Sequence, residues 1–130
     1  MDLSSVILPW LRKRAMSFVH AGRGLILLCL TQQNFRIHVA CGVGAIVLGL
    51  ICGISSMEWL VLVLAITIVM ITEAINTALE KVVDLRQPDR HPIARDAKDL
   101  SAAAVLLASS AALIVGIIIF GPRLMRFLGG

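Results

Sequence analysis

The sequence contains no tyrosine and only two tryptophans in 130 residues. These residues normally gather at the two interfaces of a membrane, so any aromatic belts in this chain are thin. Charged residues make up only 15% of the chain, whereas hydrophobic residues make up 58% and are concentrated in a few long segments. Because a soluble domain has about 45–50% apolar residues, the composition excludes an ordinary soluble domain and indicates an integral membrane protein.

Several catalytic and ligand-binding patterns are also missing. The cysteines, Cys29, Cys41 and Cys52, are odd in number and form no Cys-x-x-Cys pair, so we interpret them as structural apolar residues. The sequence has no Walker A loop, no kinase glycine-rich loop and no Ser-His-Asp order. A nucleotide site in this chain must therefore be of another type.

The net charge of +4 does not indicate a nucleic-acid partner. The basic residues flank apolar segments, and the sequence has no nucleic-acid recognition motif. Positively charged flanks of membrane helices explain the charge balance better. We therefore expect the bilayer, and no nucleic acid, among the partners of the chain.

Three apolar segments are long enough to cross a bilayer, which takes roughly 20 residues. The predicted spans are 37–54, 58–83 and 100–121. The turn between the first two has a Ser-x-x-Glu composition from Ser55 that suits a helix start. Residues 85–97 form the only long polar loop, with Pro88 and Pro92 as breakers. The sequence predicts an all-α membrane protein with a single domain over residues 1–130.

A different pattern precedes the first span. Residues 6–30 mix apolar and basic positions at helical spacing, which predicts an amphipathic helix on the membrane surface. Gly22 and Gly24 are positions at which this helix could bend or break, and residues 31–36 form a polar joint. Glycines of the first span either permit close helix contacts or are simply tolerated: Gly42, Gly44, Gly49 and Gly53.

The basic residues are distributed unevenly about the three spans, and this bias orients the chain. With the N-terminus inside, the basic residues before the first span and around the polar loop are all cytoplasmic. Only Arg123 and Arg126 then lie outside, together with the short turn over residues 55–58, which has no basic residue. This orientation places Glu73, Glu80 and the polar loop on the cytoplasmic side, where ATP is available.

The second span ends in an unusual group of polar residues. At 100° per residue, with Glu73 at 0°, Asn76 falls at about −60°, Glu80 at about −20°, Asp84 at about +20° and Thr77 at about +40°. Three carboxylates, a carboxamide and a hydroxyl therefore share one side of a helix whose opposite side is apolar. Ionisable groups in or at the end of a membrane helix are costly, so this side is a candidate functional site.

These residue types suit phosphoryl transfer. Mg²⁺ favours oxygen ligands, often one or two carboxylates with phosphates completing its shell. The reaction needs a clamped metal–nucleotide, a base near the acceptor hydroxyl and a cation for the phosphates. Glu73 lies some 15 residues into the second span, about 22 Å along the helix. At that depth its carboxylate is the acid best situated to meet a hydroxyl presented by a lipid.

Each of these residues also has a structural interpretation. Glu73 and Asn76 could join helices by hydrogen bonds, and Glu80 with Asp84 could be a solvated helix end. His91 could be an exposed loop histidine. Interface anchors or helix caps would account for Arg36, Lys98 and Asp99.

Three motifs resemble those of one enzyme family. Glu73-Ala-Ile-Asn-Thr-Ala-Leu-Glu80-Lys-Val-Val-Asp84 is similar, position by position, to the signature of the small prokaryotic diacylglycerol kinases and their relative undecaprenol kinase. The segment His91-Pro-Ile-Ala-Arg-Asp-Ala-Lys98-Asp99 resembles the second block of that family. Asn34-Phe-Arg-Ile-His38 resembles the start of its first span. The similarity covers residues 17–116.

The resemblance implies a homotrimer in the bacterial inner membrane, with a surface helix and three membrane helices per subunit, and transfer of the ATP γ-phosphate to a lipid hydroxyl. By matched position, Glu73 would accept the proton, Asn76 would lie beside it, and Glu80 would bind the Mg²⁺ that accompanies ATP. The other nucleotide contacts would be Asp89, Arg90, His91, Lys98 and Asp99. The lipid side would be lined by Asn34, Phe35, Arg36 and His38.

One position departs from the family pattern. The family usually has a second metal-binding carboxylate where this sequence has Gln32, whose carboxamide offers an oxygen without charge. We keep Gln32 as a candidate metal ligand. The Arg-Ile-His and His-Pro-Ile-Ala segments look more like the branch that uses undecaprenol, and diacylglycerol is the competing acceptor.

A second class of function remains open from the residues alone. A non-enzymatic oligomer, such as a helix-packing subunit or an ion-conducting ring of acids, would place Glu73 towards a pore axis. A lipid kinase would instead consume ATP in the presence of Mg²⁺ and a hydrophobic alcohol. The mixed charges of residues 85–97 favour the kinase, because a channel does not need them.

Overall fold

A computed structural model describes residues 3–86 and 91–129 of the chain. All regular secondary structure within these ranges is α-helical, which confirms the predicted all-α class. The helices are α1 (Leu3–Thr31), α2 (Gln33–Cys52), α3 (Ser56–Arg86) and α4 (Pro92–Leu128).

Three of the described helices, α2, α3 and α4, are long and apolar enough to cross a membrane, which confirms the predicted number of spans. The 31 residues of α3 and the 37 of α4 correspond to about 46 Å and about 55 Å at the helical rise per residue. Both lengths exceed the hydrocarbon core, which is about 30 Å thick. The ends of both helices therefore extend beyond the apolar part of a bilayer.

The chain divides after Gln33 into two compact units, and α1 forms the first of them. This helix is continuous through Pro9 and through both Gly22 and Gly24, so neither glycine breaks it. On its surface the Arg14 guanidinium lies 5.2 Å from the centre of the Trp10 ring, an i, i+4 cation–π contact. The location of α1 on a membrane surface stays a prediction.

Two predicted connections are shorter than expected. In the joint predicted over residues 31–36, only Gln32 lies outside a helix, and α2 already begins at Gln33. The polar loop predicted over residues 85–97 is wrong at both ends, because α3 runs to Arg86 and α4 begins at Pro92. A proline fits the first position of a helix, where its missing N–H has no partner to lose. A second proline, Pro122, lies inside α4 and does not end the helix.

A tight turn joins α2 to α3. Gly53 has a φ of 58°, a left-handed conformation that glycine adopts without steric cost. The Ile54 N–H then donates to the Gly49 carbonyl at 3.3 Å, as in a Schellman helix end. The next helix starts with a reciprocal cap, in which Ser55 N–H donates to Glu58 Oε2 at 2.8 Å and Glu58 N–H to Ser55 Oγ at 3.4 Å. The predicted helix start is therefore confirmed.

Two glycines of α2 accept side chains from α3. A Cβ atom on Gly49 would lie 2.9 Å from the Trp59 ring, and one on Gly42 would lie 3.1 Å from the Ile66 side chain. A Cβ on Gly44 would meet nothing within 4 Å. Close helix contact thus explains the glycines at positions 42 and 49. At position 44 there is room for a larger side chain, so glycine is simply tolerated there.

Helices α3 and α4 pack antiparallel along their length. Leu62 of α3 and Ile119 of α4 form a buried cluster with Ile54. Beside this cluster the Arg123 guanidinium donates from both terminal nitrogens to the Glu58 carboxylate, each at 2.8 Å. Such a two-pronged pair is the strong form of an ion pair because both hydrogen bonds are charge-assisted.

We expect Gly49→Ala to lower the free energy of unfolding by about 1–3 kcal/mol, since the new methyl group overlaps the Trp59 ring. Gly44→Ala is the matched control in the same helix and should leave stability unchanged or raise it by up to about 1 kcal/mol. Unfolding in mixed detergent micelles, followed by circular dichroism, measures both. Equal stabilities for the two variants would contradict the close contact at Gly49.

The Glu58–Arg123 pair should stabilise the α3–α4 contact. Because both hydrogen bonds between them are charge-assisted, we expect the double variant to lose less stability than the sum of the two single variants. The measurement is a double-mutant cycle with Glu58→Gln, Arg123→Gln and the double variant, using the same unfolding assay. Purely additive losses would show that the pair does not couple the helices.

Candidate active site

The polar side of α3 faces the interior of the helix packing. Glu73, Asn76 and Thr77 are only 2%, 6% and 4% exposed, whereas Ile75 and Val82 on the opposite side are each 61% exposed. The prediction that Glu73, Asn76 and Thr77 share one side of the helix, opposite an apolar side, is therefore confirmed. Glu80 is half-buried and Asp84 is exposed, so the polar side runs from the buried part of α3 towards its C-terminal end.

Asn76 connects two other residues of the site, Ser101 and Glu80. Its Oδ1 accepts a hydrogen bond from Ser101 Oγ of α4 at 2.6 Å, and its Nδ2 donates to Glu80 Oε1 at 3.2 Å. The Ser101 hydroxyl also lies 2.9 Å from the Lys98 carbonyl oxygen. Asn76 thus joins α3 to α4, as the structural interpretation of an asparagine in a membrane helix anticipates, and at the same time it contacts a candidate metal ligand.

Lys98 lies among the acids at the C-terminal end of α3. Its ammonium donates to Asp84 Oδ1 at 2.8 Å, and the Glu80 carboxylate acts on it electrostatically. Asp99 turns away from this group. Its carboxylate lies 3.6 Å from the Arg95 guanidinium, and both of those side chains are largely exposed. The adjacent residues Lys98 and Asp99 therefore serve different surfaces of α4.

The buried carboxylate of Glu73 lies near α2. His38 and Glu80 are the titratable groups that act on it electrostatically. His38 also lines a groove of about 620 Å³ between α2, α3 and α4, whose walls are mostly apolar side chains and glycines. Val69, one helical turn before Glu73, lies on the same wall. Glu73 does not itself line the groove, but Val69 and His38 both connect the groove to it.

The residues predicted for the lipid side are spread over the first turns of α2. Phe35 is buried at 5% exposure, His38 is half-buried, and Asn34 and Arg36 are exposed. Of these, the groove includes only His38 among its lining residues.

Four further residues were predicted to bind the nucleotide or the metal ion. His91 is exposed at the N-cap of α4 and makes no side-chain capping bond. Gln32 is half-buried in the first unit and donates from Nε2 to Thr31 Oγ1 at 3.2 Å. Asp89 and Arg90 lie outside the described residues.

The donor set suits a metal ion that arrives with phosphates. Within residues 3–86 and 91–129, no group of three or more His, Cys, Asp or Glu side chains could enclose a metal ion. Mg²⁺ bound with a nucleotide needs only one or two carboxylates, because phosphate oxygens and waters complete its shell. The half-buried Glu80, next to the buried Asn76 amide, fits that requirement.

Two residues of the site carried no role in the sequence analysis. Ser101 lies in the Ala- and Ser-rich start of the third span, three residues after Lys98, and only its contact with Asn76 distinguishes it from its neighbours. Thr77 shares the polar side of α3, and in the described part of the chain its buried Oγ1 has no hydrogen-bond partner. The sequence feature that could have indicated Ser101 is a serine in an apolar helix, one turn after a lysine of the candidate site.

Several known proteins are similar to this chain over most of its length. The profile of the family described as prokaryotic diacylglycerol kinase matches residues 19–120. An undecaprenol kinase of Bacillus subtilis is 39% identical over 108 residues, which is 83% of this chain and 88% of that protein. A diacylglycerol kinase of Synechocystis is 42% identical over 114 residues, 87% of this chain and 65% of that protein. A diacylglycerol kinase of Escherichia coli is 30% identical over 95 residues, 73% of this chain and 78% of that protein. With its all-helical fold and three apolar helices, the chain belongs to the prokaryotic diacylglycerol kinase family of membrane lipid kinases.

Proposed function

We propose that the chain transfers the γ-phosphate of ATP, with Mg²⁺, to the hydroxyl of a membrane lipid alcohol, undecaprenol or diacylglycerol. The observation that carries this proposal is the buried Glu73 carboxylate, which lies one helical turn after Val69 of the groove wall and on the same side of α3 as Glu80. Seven residues, or about 10 Å of helix, separate the two acids. A lipid can approach the first and a water-soluble nucleotide the second.

Glu73 is the proton acceptor in this proposal. A general base must lie within hydrogen-bond reach of the hydroxyl that it deprotonates. The groove beside Glu73 is apolar and opens between membrane helices, so it suits the hydrocarbon part of an acceptor whose hydroxyl then meets the carboxylate. His38 lies at the junction of the groove and the acid, whereas Asn34, Phe35 and Arg36 would contact the lipid from the first turn of α2.

Glu80 and Lys98 serve the nucleotide. Glu80 would hold the Mg²⁺ of Mg–ATP, and the ion supplies neutralisation of the phosphate charge during transfer. The Lys98 ammonium, already held by Asp84 at 2.8 Å, provides a fixed cation for phosphate oxygens. The exposed His91 and Asp99, at the N-cap and within α4, would complete the nucleotide contacts together with Asp89 and Arg90.

The burial of Glu73 argues against an ion-conducting ring of acids. In such an oligomer the carboxylate would have to face a pore formed between chains. Glu73 is instead only 2% exposed within a single chain, and His38 of the same chain acts on it. It is covered before any second copy is added.

The remaining parts of the proposal concern the setting of the enzyme. The excess of basic residues around α1 and around the connection between α3 and α4 supports a cytoplasmic N-terminus and a cytoplasmic active site in the bacterial inner membrane. The large exposed apolar surface of α2, α3 and α4 is compatible with lipid and with further copies of the chain, and we propose a homotrimer.

Glu73→Gln should lower phosphate transfer to lipid by at least about a hundredfold, because the amide cannot accept the hydroxyl proton. The assay offers γ-labelled ATP and Mg²⁺ in detergent–lipid micelles, with undecaprenol and diacylglycerol supplied separately. The matched control is Asp96→Asn, which removes an exposed carboxylate of α4 and should retain full activity. The acceptor that is labelled faster identifies the substrate.

Two outcomes of this assay would overturn parts of the proposal. Folded wild-type protein that labels neither lipid would contradict the kinase activity proposed for this chain. Full activity in Glu73→Gln would retain the kinase but remove Glu73 as the base.

Gln32→Glu tests the position at which this chain departs from its family. If Gln32 contributes its oxygen to the Mg²⁺ site, a carboxylate there should lower the Mg²⁺ concentration needed for half-maximal activity, by about tenfold for a gain of about 1.4 kcal/mol. Gln33→Glu, one residue further along the chain, is the control for added charge. An unchanged or raised Mg²⁺ requirement would remove Gln32 from the site.

A further inference from the structure

The Asn76 carboxamide can adopt two orientations, in which either its Nδ2 or its Oδ1 faces Glu80. In the observed orientation its Nδ2 donates to Glu80 Oε1 at 3.2 Å, and its Oδ1 faces α4. In the reversed orientation the amide oxygen would face the Glu80 carboxylate, and two acceptors would repel each other. The productive orientation therefore needs a hydrogen-bond donor on the α4 side.

Ser101 supplies that donor. Its hydroxyl lies 2.6 Å from Asn76 Oδ1 and 2.9 Å from the Lys98 carbonyl oxygen. A serine hydroxyl has one proton, so it can donate to only one of these acceptors at a time. The shorter distance is the one to Asn76, and a helical serine that lost this partner could turn its proton to the carbonyl of its own helix.

We propose that Ser101 is a positioning residue of the active site, which fixes the Asn76 carboxamide so that its Nδ2 holds the Glu80 carboxylate. This role rests on the proposed function, in which Glu80 binds the Mg²⁺ of the nucleotide. Ser101 touches neither substrate in the proposal and acts through Asn76. The contact also links the site to α4, so the placement of Glu80 depends on the packing of two helices.

The orientation of the amide can be measured without any enzyme activity. The chain has two asparagines, Asn34 and Asn76, so asparagine-selective ¹⁵N labelling marks two side-chain amide groups, each with a pair of proton signals. Asn34 is exposed and serves as the internal reference. In the wild type we expect the Asn76 side-chain protons to exchange with solvent at least about tenfold more slowly than those of Asn34, because a buried, hydrogen-bonded amide opens rarely.

Ser101→Ala should remove this protection and leave the Asn34 signals unchanged. The matched control is Ser110→Ala in the same helix, whose exposed hydroxyl donates only to the Leu106 carbonyl at 2.7 Å. Ser101→Thr keeps a hydroxyl at the site and should retain protection. An Asn76 amide that stays protected in Ser101→Ala would overturn the role of Ser101.

Steady-state kinetics then test whether the loss of the Ser101 hydroxyl alters Mg²⁺ binding at Glu80. Ser101→Ala should raise the Mg²⁺ concentration for half-maximal activity by about tenfold, as expected for the loss of one positioned hydrogen bond, while KM for the lipid stays constant. In an Asn76→Ala background the same substitution should have less than about a twofold effect, since the two residues act as one unit. Equal effects in both backgrounds would show that Ser101 does not act through Asn76.

The amide-exchange and kinetic experiments test the role of Ser101 and the proposed kinase function separately. A wild-type protein with a protected Asn76 amide but no phosphate transfer would overturn the proposed kinase reaction. An active wild type whose Asn76 amide exchanges as fast as that of Asn34 would overturn the role of Ser101 alone.

Discussion

Inside a bilayer, apolar side chains gain little by contacting another helix in place of lipid, because lipid tails are as apolar as leucine. Polar contacts near both ends of the α3–α4 pair therefore set its register. Glu58 meets Arg123 at one end, and Asp84 meets Lys98 at the other, with 2.8 Å contacts in both cases. The candidate active site lies inside this frame, and its geometry follows from the same register.

Asn76 illustrates this dependence. Its carboxamide reaches Glu80 within α3 and Ser101 across to α4. A shift of α4 by a single residue would move Ser101 by about 1.5 Å along the axis and by about 100° around it. Such a shift would break the contact. The ion pairs at the ends and the hydrogen bond in the site thus reinforce one another.

The sequence was informative wherever one helix alone decides the outcome. Periodicity placed Glu73, Asn76 and Glu80 on one side of α3, and the cap at Ser55 was recognisable from its composition. It was uninformative where two helices meet. The contact of Ser101 with Asn76 depends on register, and the start of α4 at Pro92 depends on whether a proline opens or ends a helix. Local patterns do not decide either question.

Glu58 also bears on how the chain enters the membrane. Arg123 is synthesised 65 residues after Glu58, so α2 and α3 are complete long before this cation exists. During that interval the Glu58 carboxylate still has a local partner, because the Ser55 N–H lies 2.8 Å from Oε2. A helical hairpin formed by α2 and α3 can therefore insert with its turn already satisfied, and Arg123 joins the same carboxylate when α4 follows.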